Sequence, residues 1–111
     1  MLHLMYLLRP THKAHQDMVA FWQWVEQRDE WFYRTLAMAG ERRWYICTIG
    51  SNVHCIEHYV TFVDEAAWGE YRRAVSELCK NPEWERKRIE QNQWWDIIDS
   101  KLLNDAPFVK K

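Results

Sequence analysis

The sequence has few residues that bend or constrain a chain, since its 111 residues include only three glycines and three prolines. So few glycines leave no glycine-rich loop that could hold phosphate groups. There is also no Gly-x-Ser-x-Gly segment of the kind that presents a catalytic serine. ATP and dinucleotide cofactors are therefore not expected, and we predict a protein that works without a cofactor.

Cysteine is equally scarce, with Cys47, Cys55 and Cys79 as the three examples. Their number is odd and no Cys-x-x-Cys pair occurs, which argues against a disulfide framework and against a zinc site. A reducing compartment, the cytoplasm, is the expected location. Cys47 and Cys55 face each other in a predicted hairpin, where they form either a redox pair or two small core residues.

The sequence also lacks an excess of charge and a long apolar run. Fifteen Lys and Arg residues against sixteen Asp and Glu give a net charge of -1, without the basic surface that a nucleic-acid-binding protein needs. The apolar residues 2–8 are too few for a signal-peptide core or a membrane span. We expect neither a nucleic-acid partner nor a membrane.

Aromatic residues, in contrast, are abundant: eight Trp, five Tyr and four Phe. A core of this size does not need so many rings, so some are expected at an interface or in a ligand pocket. The alternative is that they fill the core and extend onto the surface. Because a small domain buries a limited fraction of its surface, association with a second copy is also expected.

Hydrophobic periodicity predicts one α+β domain over residues 1–104, followed by a C-terminal tail at 105–111. Thr11, Asp64 and Asn81 have the residue type and position of helix N-caps. The first helix is long enough to predict a kink near Arg28 and Asp29. In chain order the predicted elements are a strand at 2–9, a helix at 13–40, strands at 42–49 and 53–62 joined by a turn at 50–52, helices at 64–79 and 81–92, and an edge strand at 94–103.

This β-α-β-β-α-β order is that of the ferredoxin-like plait, a four-stranded antiparallel sheet with both helices on one face. The hairpin is predicted to pair Arg43 with Tyr59 and Tyr45 with Glu57. The helices should cover the more apolar side, and the mixed side should pack against the sheet of a second copy. The predicted helix-facing residues are Trp44, Ile46, Ile56, Val60 and Phe62, and the mixed side carries Arg43, Tyr45, Cys47, Cys55, Glu57 and Tyr59.

Residues 54–84 contain H-C-I-E-H-Y-V-T-F-V-D-E-A-A-W-G-E-Y-R-R and then N-P-E-W. This stretch resembles the NIPSNAP-like branch of the dimeric α+β barrel superfamily. The resemblance implies a homodimer whose sheets close into a barrel, with a cleft between sheet and helices in each subunit. Relatives in the superfamily include cofactor-free monooxygenases, aromatic polyketide cyclases, isomerases and haem enzymes.

Two histidines, His54 and His58, are expected on the helix-facing side of the third strand. Four residues along a strand span about 13 Å, so the pair cannot share one metal ion. One of them could still be an axial haem ligand, or each could simply hydrogen-bond at the edge of the core. We predict His58 as the proton acceptor of an active site.

A carboxylate, Asp29, interrupts the apolar stripe of the first helix between Val25 and Phe32. It is predicted either to pair with a histidine from the sheet or to cap a helical segment that begins at Glu30. The candidate catalytic residues are thus His58, Asp29 and His54. The predicted ligand pocket consists of Trp22, Trp44, Phe62, Trp68 and Tyr71.

These residues predict a small-molecule enzyme without an organic cofactor, and the resemblance implies a monooxygenase, cyclase or isomerase type. Its substrate would be an aromatic or polyketide-like compound. The alternative is a non-catalytic dimeric protein that holds a hydrophobic or aromatic ligand in the same cleft.

Overall fold

A computed structural model of the protein describes residues 1–108. The elements are β1 (Leu2–Pro10), α1 (His12–Gln16), α2 (Met18–Tyr33), β2 (Arg42–Ile46), β3 (Ile56–Phe62), α3 (Glu65–Leu78), α4 (Pro82–Ile89), a 3₁₀ turn (Glu90–Gln93) and β4 (Trp95–Asn104). The four strands form one antiparallel sheet in the order β2-β3-β1-β4, so the predicted ferredoxin-like plait is confirmed and β4 is an edge strand.

The hairpin register is as predicted, because Arg43 pairs with Tyr59 and Tyr45 pairs with Glu57. The predicted strand ends are wrong, since β2 stops at Ile46 and β3 begins at Ile56. Between them the backbone of His54 has φ 73°. A left-handed residue cannot continue an extended strand, so the connection is longer than a three-residue turn.

The predicted long helix is divided at Asp17 and not near residues 28 and 29. Asp17 has an extended φ of -151°, and its carboxylate accepts a hydrogen bond from the Ala20 amide at 3.0 Å. It therefore ends α1 and caps α2, which then runs uninterrupted past Asp29. The helix ends at Tyr33, well before Gly40. Because α2 continues through Asp29, the prediction that Asp29 caps a second segment is also wrong.

The later helices begin where their capping residues predict. Asp64 accepts a hydrogen bond from the Ala67 amide at 2.8 Å, and Asn81 accepts one from the Glu83 amide at 2.9 Å. Pro82 occupies the first turn of α4, where its missing N–H is not needed. These caps determine where α3 and α4 begin.

The core lies between the sheet and α2 and α3. Phe21 of α2 and Val60 and Phe62 of β3 are fully buried, and each contributes about 2 kcal/mol through apolar burial. Trp44 is half-buried on the same side, as predicted. Ile46 was expected there as well, but its side chain is 51% exposed because β2 is the outer strand and ends at this residue.

The C-terminal residues 105–111 were predicted to form a tail. Asp105 accepts hydrogen bonds from the N-terminal amine at 3.0 Å and contacts Nε2 of His3 at 2.7 Å. Residues 109–111 lie outside the described residues, and the single-domain boundary at residue 104 stays a prediction. Within residues 1–108, no helix has both the length and the apolar character needed to cross a membrane.

Candidate functional site

A cavity of about 380 Å³ lies between the helix-facing side of the sheet and the helices. Its polar wall contains the phenols of Tyr6, Tyr33 and Tyr71 together with His58, Arg28 and Gln91. Its apolar wall is formed by Leu8, Phe32, Trp68, Val75, Trp95 and Ile97.

His58 lies at the centre of β3 and its side chain is 2% exposed. Its Nδ1 is 3.1 Å from the carbonyl oxygen of Arg43, and its Nε2 is 2.9 Å from the hydroxyl of Tyr33. A carbonyl oxygen only accepts hydrogen bonds, so Nδ1 carries the proton and donates to Arg43. Nε2 is therefore the free acceptor, and the hydroxyl of Tyr33 donates to it.

Burial lowers the pKa of His58 to about 4, because desolvation penalises the charged imidazolium more than the Arg43 carbonyl stabilises it. Burial likewise raises the pKa of Tyr33 above its ordinary value. Both groups are neutral near pH 7. They form a hydrogen-bonded pair of neutral groups.

Trp44 supports the imidazole from the other side. The two rings are stacked with their centroids 3.6 Å apart and an interplanar angle of 13°. Trp44 is the cross-strand partner of His58 in the β2–β3 ladder, which accounts for the stacking. The ring orientation of His58 is thus determined by the sheet register, the Arg43 carbonyl and Tyr33 together.

Arg28 of α2 has its guanidinium between two rings of the cavity wall. Its Cζ atom lies 4.4 Å from the centroid of Phe32 and 5.1 Å from that of Trp95, and its Nη2 donates to Oε1 of Gln91 at 3.2 Å. Within residues 1–108 it forms no salt bridge. Burial lowers the pKa of Arg28, yet an arginine remains protonated in a protein.

Asp29 does not pair with His58, so the predicted carboxylate–histidine pair is wrong. Both ring nitrogens of His58 are occupied by other groups, as described above. Asp29 instead accepts from Nε of Arg42 at 3.0 and 3.2 Å and from Nε1 of Trp44 at 3.3 Å. Its side chain turns toward the outer strand β2, away from the cavity.

The predicted position of His54 is also wrong. The residue lies in the β2–β3 connection and is exposed, and its amide donates to the carbonyl of Cys47 at 2.8 Å. Its positive φ takes it out of the strand alternation that would have placed it on the helix-facing side.

The structure places two of the five predicted pocket residues, Trp68 and Tyr71, on the cavity wall. The others lie elsewhere: Trp22 packs edge-on against Phe21, Trp44 lies behind the imidazole, and Phe62 is buried in the core.

Arg28, Tyr33 and Gln91 were missed by the sequence predictions. Arg28 follows Val25 by three residues and precedes Phe32 by four, a spacing that places it on the core-facing stripe of α2. A charged residue at that spacing was an available signal. Nothing local in the sequence indicates that Gln91 reaches the same cavity.

No protein-family model matches the chain, and no curated protein matches it. Solved structures do match. HapK from Hahella chejuensis is 14% identical over 100% of this chain and 98% of its own, with a TM-score of 0.64. A NIPSNAP domain protein from Burkholderia xenovorans is 16% identical over 100% of both chains, with a TM-score of 0.64. An antibiotic biosynthesis monooxygenase is 12% identical over 96% of this chain and 98% of its own, with a TM-score of 0.50.

At these identities the likeness shows the fold. The predicted likeness to NIPSNAP-type proteins is confirmed at the level of the fold.

Proposed function

We propose that the protein is a small-molecule enzyme that needs no organic cofactor and acts on an aromatic or polyketide-like compound in the cavity between sheet and helices. The observation that carries this proposal is the Tyr33–His58 pair, which lies in an aromatic-lined cavity beside Arg28. The fold shared with an antibiotic biosynthesis monooxygenase supports it.

The pair is suited to removing a proton from an acidic C–H or O–H group. The substrate proton moves to the oxygen of Tyr33 as the Tyr33 proton moves to Nε2 of His58, leaving an enolate or phenolate and an imidazolium. Alone, His58 is a weak base because burial lowers its pKa to about 4. The anion formed in the cavity favours the imidazolium, and the Arg28 guanidinium stabilises the anion.

This proton transfer precedes each of the three reaction types in question. An enolate can be protonated at another carbon, which is isomerisation, or attack a carbonyl carbon, which is cyclisation. It can also react with O₂, and the overall monooxygenase reaction is then RH₂ + O₂ → R=O + H₂O. Removal of the substrate proton is the first step that the three reactions share.

Hydrogen–deuterium exchange tests that step. Anthrone, a tricyclic ketone with an acidic CH₂ group, would be incubated in D₂O under argon, and loss of its CH₂ signal followed by NMR. We expect exchange faster than in buffer with wild-type protein and with the surface control His15→Gln. Exchange should fall to the buffer rate with His58→Gln and with Tyr33→Phe. Equal rates in all samples would contradict the proposal.

The second candidate is a non-catalytic protein that holds an aromatic ligand. One observation favours it: both ring nitrogens of His58 already have hydrogen-bond partners, which suits a structural imidazole. Saturable binding of anthrone by calorimetry without faster exchange would select this candidate. Absence of both binding and exchange would contradict both functions.

The assembly we propose is a homodimer formed through the side of the sheet that the helices leave uncovered. That side carries Met5 and Leu7 near its centre and the rings of Tyr45 and Tyr59, and Tyr45 is 46% exposed. Light scattering at micromolar concentration should give the dimer mass for wild-type protein and for Val19→Arg, which alters the exposed side of α2. Tyr45→Arg should shift it toward the monomer, and a monomeric wild-type protein would contradict this assembly. Cytoplasmic location stays a prediction.

A further inference from the structure

The charges around the cavity are of one sign. Its wall contains three arginines, Arg28, Arg72 and Arg88, and no Asp or Glu. Arg88 pairs with Glu85, one turn earlier on α4, and Arg72 is exposed with its guanidinium over Trp68. Arg28 differs from both. Its guanidinium lies against buried rings, and in the part of the chain that the structure describes it has no carboxylate partner.

Arg28 is half-buried. A guanidinium withdrawn from water without a counter-ion is unfavourable, because desolvation of a charge is costly unless an opposite charge or hydrogen bonds offset it. The contacts of Arg28 offset only part of this cost, since the rings of Phe32 and Trp95, the amide of Gln91 and the neighbouring phenol of Tyr33 carry no net charge. A sequence that served stability alone would place an apolar side chain here. The position is therefore suited to an anion that enters from outside.

The groups beside Arg28 favour an oxygen anion. The phenols of Tyr33 and Tyr71 lie next to the guanidinium, and burial keeps both of them protonated by raising their pKa. The Tyr71 phenol can donate a hydrogen bond to such an anion, whereas the Tyr33 proton is already donated to Nε2 of His58. His58 is neutral, so it neither attracts nor repels a charged ligand.

The remaining wall requires an apolar ligand body. Trp68, Val75, Trp95 and Ile97 surround a space of about 380 Å³, which falls in the range of roughly 300–1,000 Å³ typical of small-molecule sites. A compound of two or three fused rings with one charged group matches the size of the cavity, its apolar wall and the Arg28 guanidinium inside it.

We propose that the natural ligand of the cavity is an aromatic carboxylate, with Arg28 as its counter-ion. This inference rests on the proposed function for its location, because it assigns the class of compound bound at the same site. A carboxylate matches the planar donor fork of a guanidinium in a bidentate pair, which a neutral ligand cannot form.

Three probes with one ring system test the inference by calorimetry: 2-naphthoate, the neutral 2-naphthamide and the cationic 2-naphthylmethylamine. We expect wild-type protein to bind naphthoate at least about tenfold more tightly than naphthamide, as charge-assisted hydrogen bonds predict, and the amine most weakly. Arg28→Met should remove the preference for naphthoate. Arg28→Lys should retain part of it, since the charge remains but the fork is lost.

Arg73→Met is the matched control, because it removes an exposed arginine of α3 that does not line the cavity and should leave the preference intact. Should Arg28→Met not fold, the wild-type comparison of the three probes and the Arg28→Lys variant still decide the question. Equal binding of naphthoate and naphthamide to wild-type protein would overturn the carboxylate assignment while leaving an aromatic site. No binding of any probe would overturn the site itself, and with it the proposed function.

Discussion

Arg28 and Asp29 are neighbours in α2, yet their side chains lie in two regions with opposite electrostatic surroundings. Asp29 belongs to a compensated cluster in which Arg42 and the indole N–H of Trp44 bind its carboxylate. Arg28 lies in the cavity, against two rings and a neutral amide. The charge of Asp29 has an opposite charge beside it within the described chain, and the charge of Arg28 does not.

The difference separates a structural polar site from a candidate functional one. Internal ion pairs with complete hydrogen bonding hold elements together, and the Asp29 cluster joins α2 to the outer strand β2 in this way. An unpaired charge in a cavity has no such role in the folded chain alone. His58 lies between the two regions, with Trp44 stacked on its ring and Tyr33 bound to its Nε2.

The largest expected effect is on acid stability, through His58. Its folded-state pKa of about 4 is below the ordinary value of 6.5, so between these pH values the unfolded state binds the proton more readily. The stability that the neutral, buried imidazole contributes is therefore fully present above pH 6.5. About 3 kcal/mol of it is lost as pH falls toward 4.

Urea denaturation of wild-type protein and His58→Gln between pH 7.5 and pH 4 measures this effect, with pH values chosen to bracket the two pKa values. Carboxylates titrate in both proteins, so the difference in slope isolates the histidine. His15→Gln, which alters an exposed histidine of α1, should keep the wild-type slope. Parallel curves for wild-type and His58→Gln would show that the buried imidazole does not carry this dependence.

A smaller effect is expected when the compensated cluster is broken. Asp29→Ala removes the partner of Arg42 and Trp44 and leaves a half-buried guanidinium unpaired, which should destabilise the protein by about 2 kcal/mol. Thermal or urea unfolding gives the value. The double variant Asp29→Ala with Arg42→Met should recover part of the loss, because no charge is then left unpaired. A loss below about 0.5 kcal/mol would place Asp29 among ordinary surface residues.

The smallest change is expected from Arg28→Met. It removes an unpaired charge and keeps the length and apolar stem of the side chain, so stability should stay within about 1 kcal/mol of wild type or rise. The same unfolding experiment measures it. A loss as large as that of Asp29→Ala would mean that Arg28, too, is part of the structural framework.

Much of the fold could be predicted because its signals are local. Asp64 and the Asn81–Pro82 pair have the residue types that cap helices, and a turn centred on residues 50–52 predicted the pairing of Arg43 with Tyr59. The break at Asp17 was missed because no glycine or proline accompanies it.

The site was less predictable for geometric reasons. Arg28 and Asp29 follow Val25 by three and four residues, and both spacings are compatible with the core-facing side of a helix. Which of the two reaches the cavity depends on how α2 is rotated against the sheet, which is a tertiary property. The left-handed backbone of His54 could not be predicted from its residue type, since a positive φ is uncommon for every residue other than glycine.

A crystal structure of the protein with bound 2-naphthoate tests the claim that Arg28 is the counter-ion of the ligand. We expect the ring system in the cavity between sheet and helices, with the carboxylate roughly 3 Å from the Arg28 guanidinium and within reach of the Tyr71 hydroxyl. Naphthoate bound with its carboxylate at Arg72 or Arg88 and its rings outside the cavity would contradict that claim.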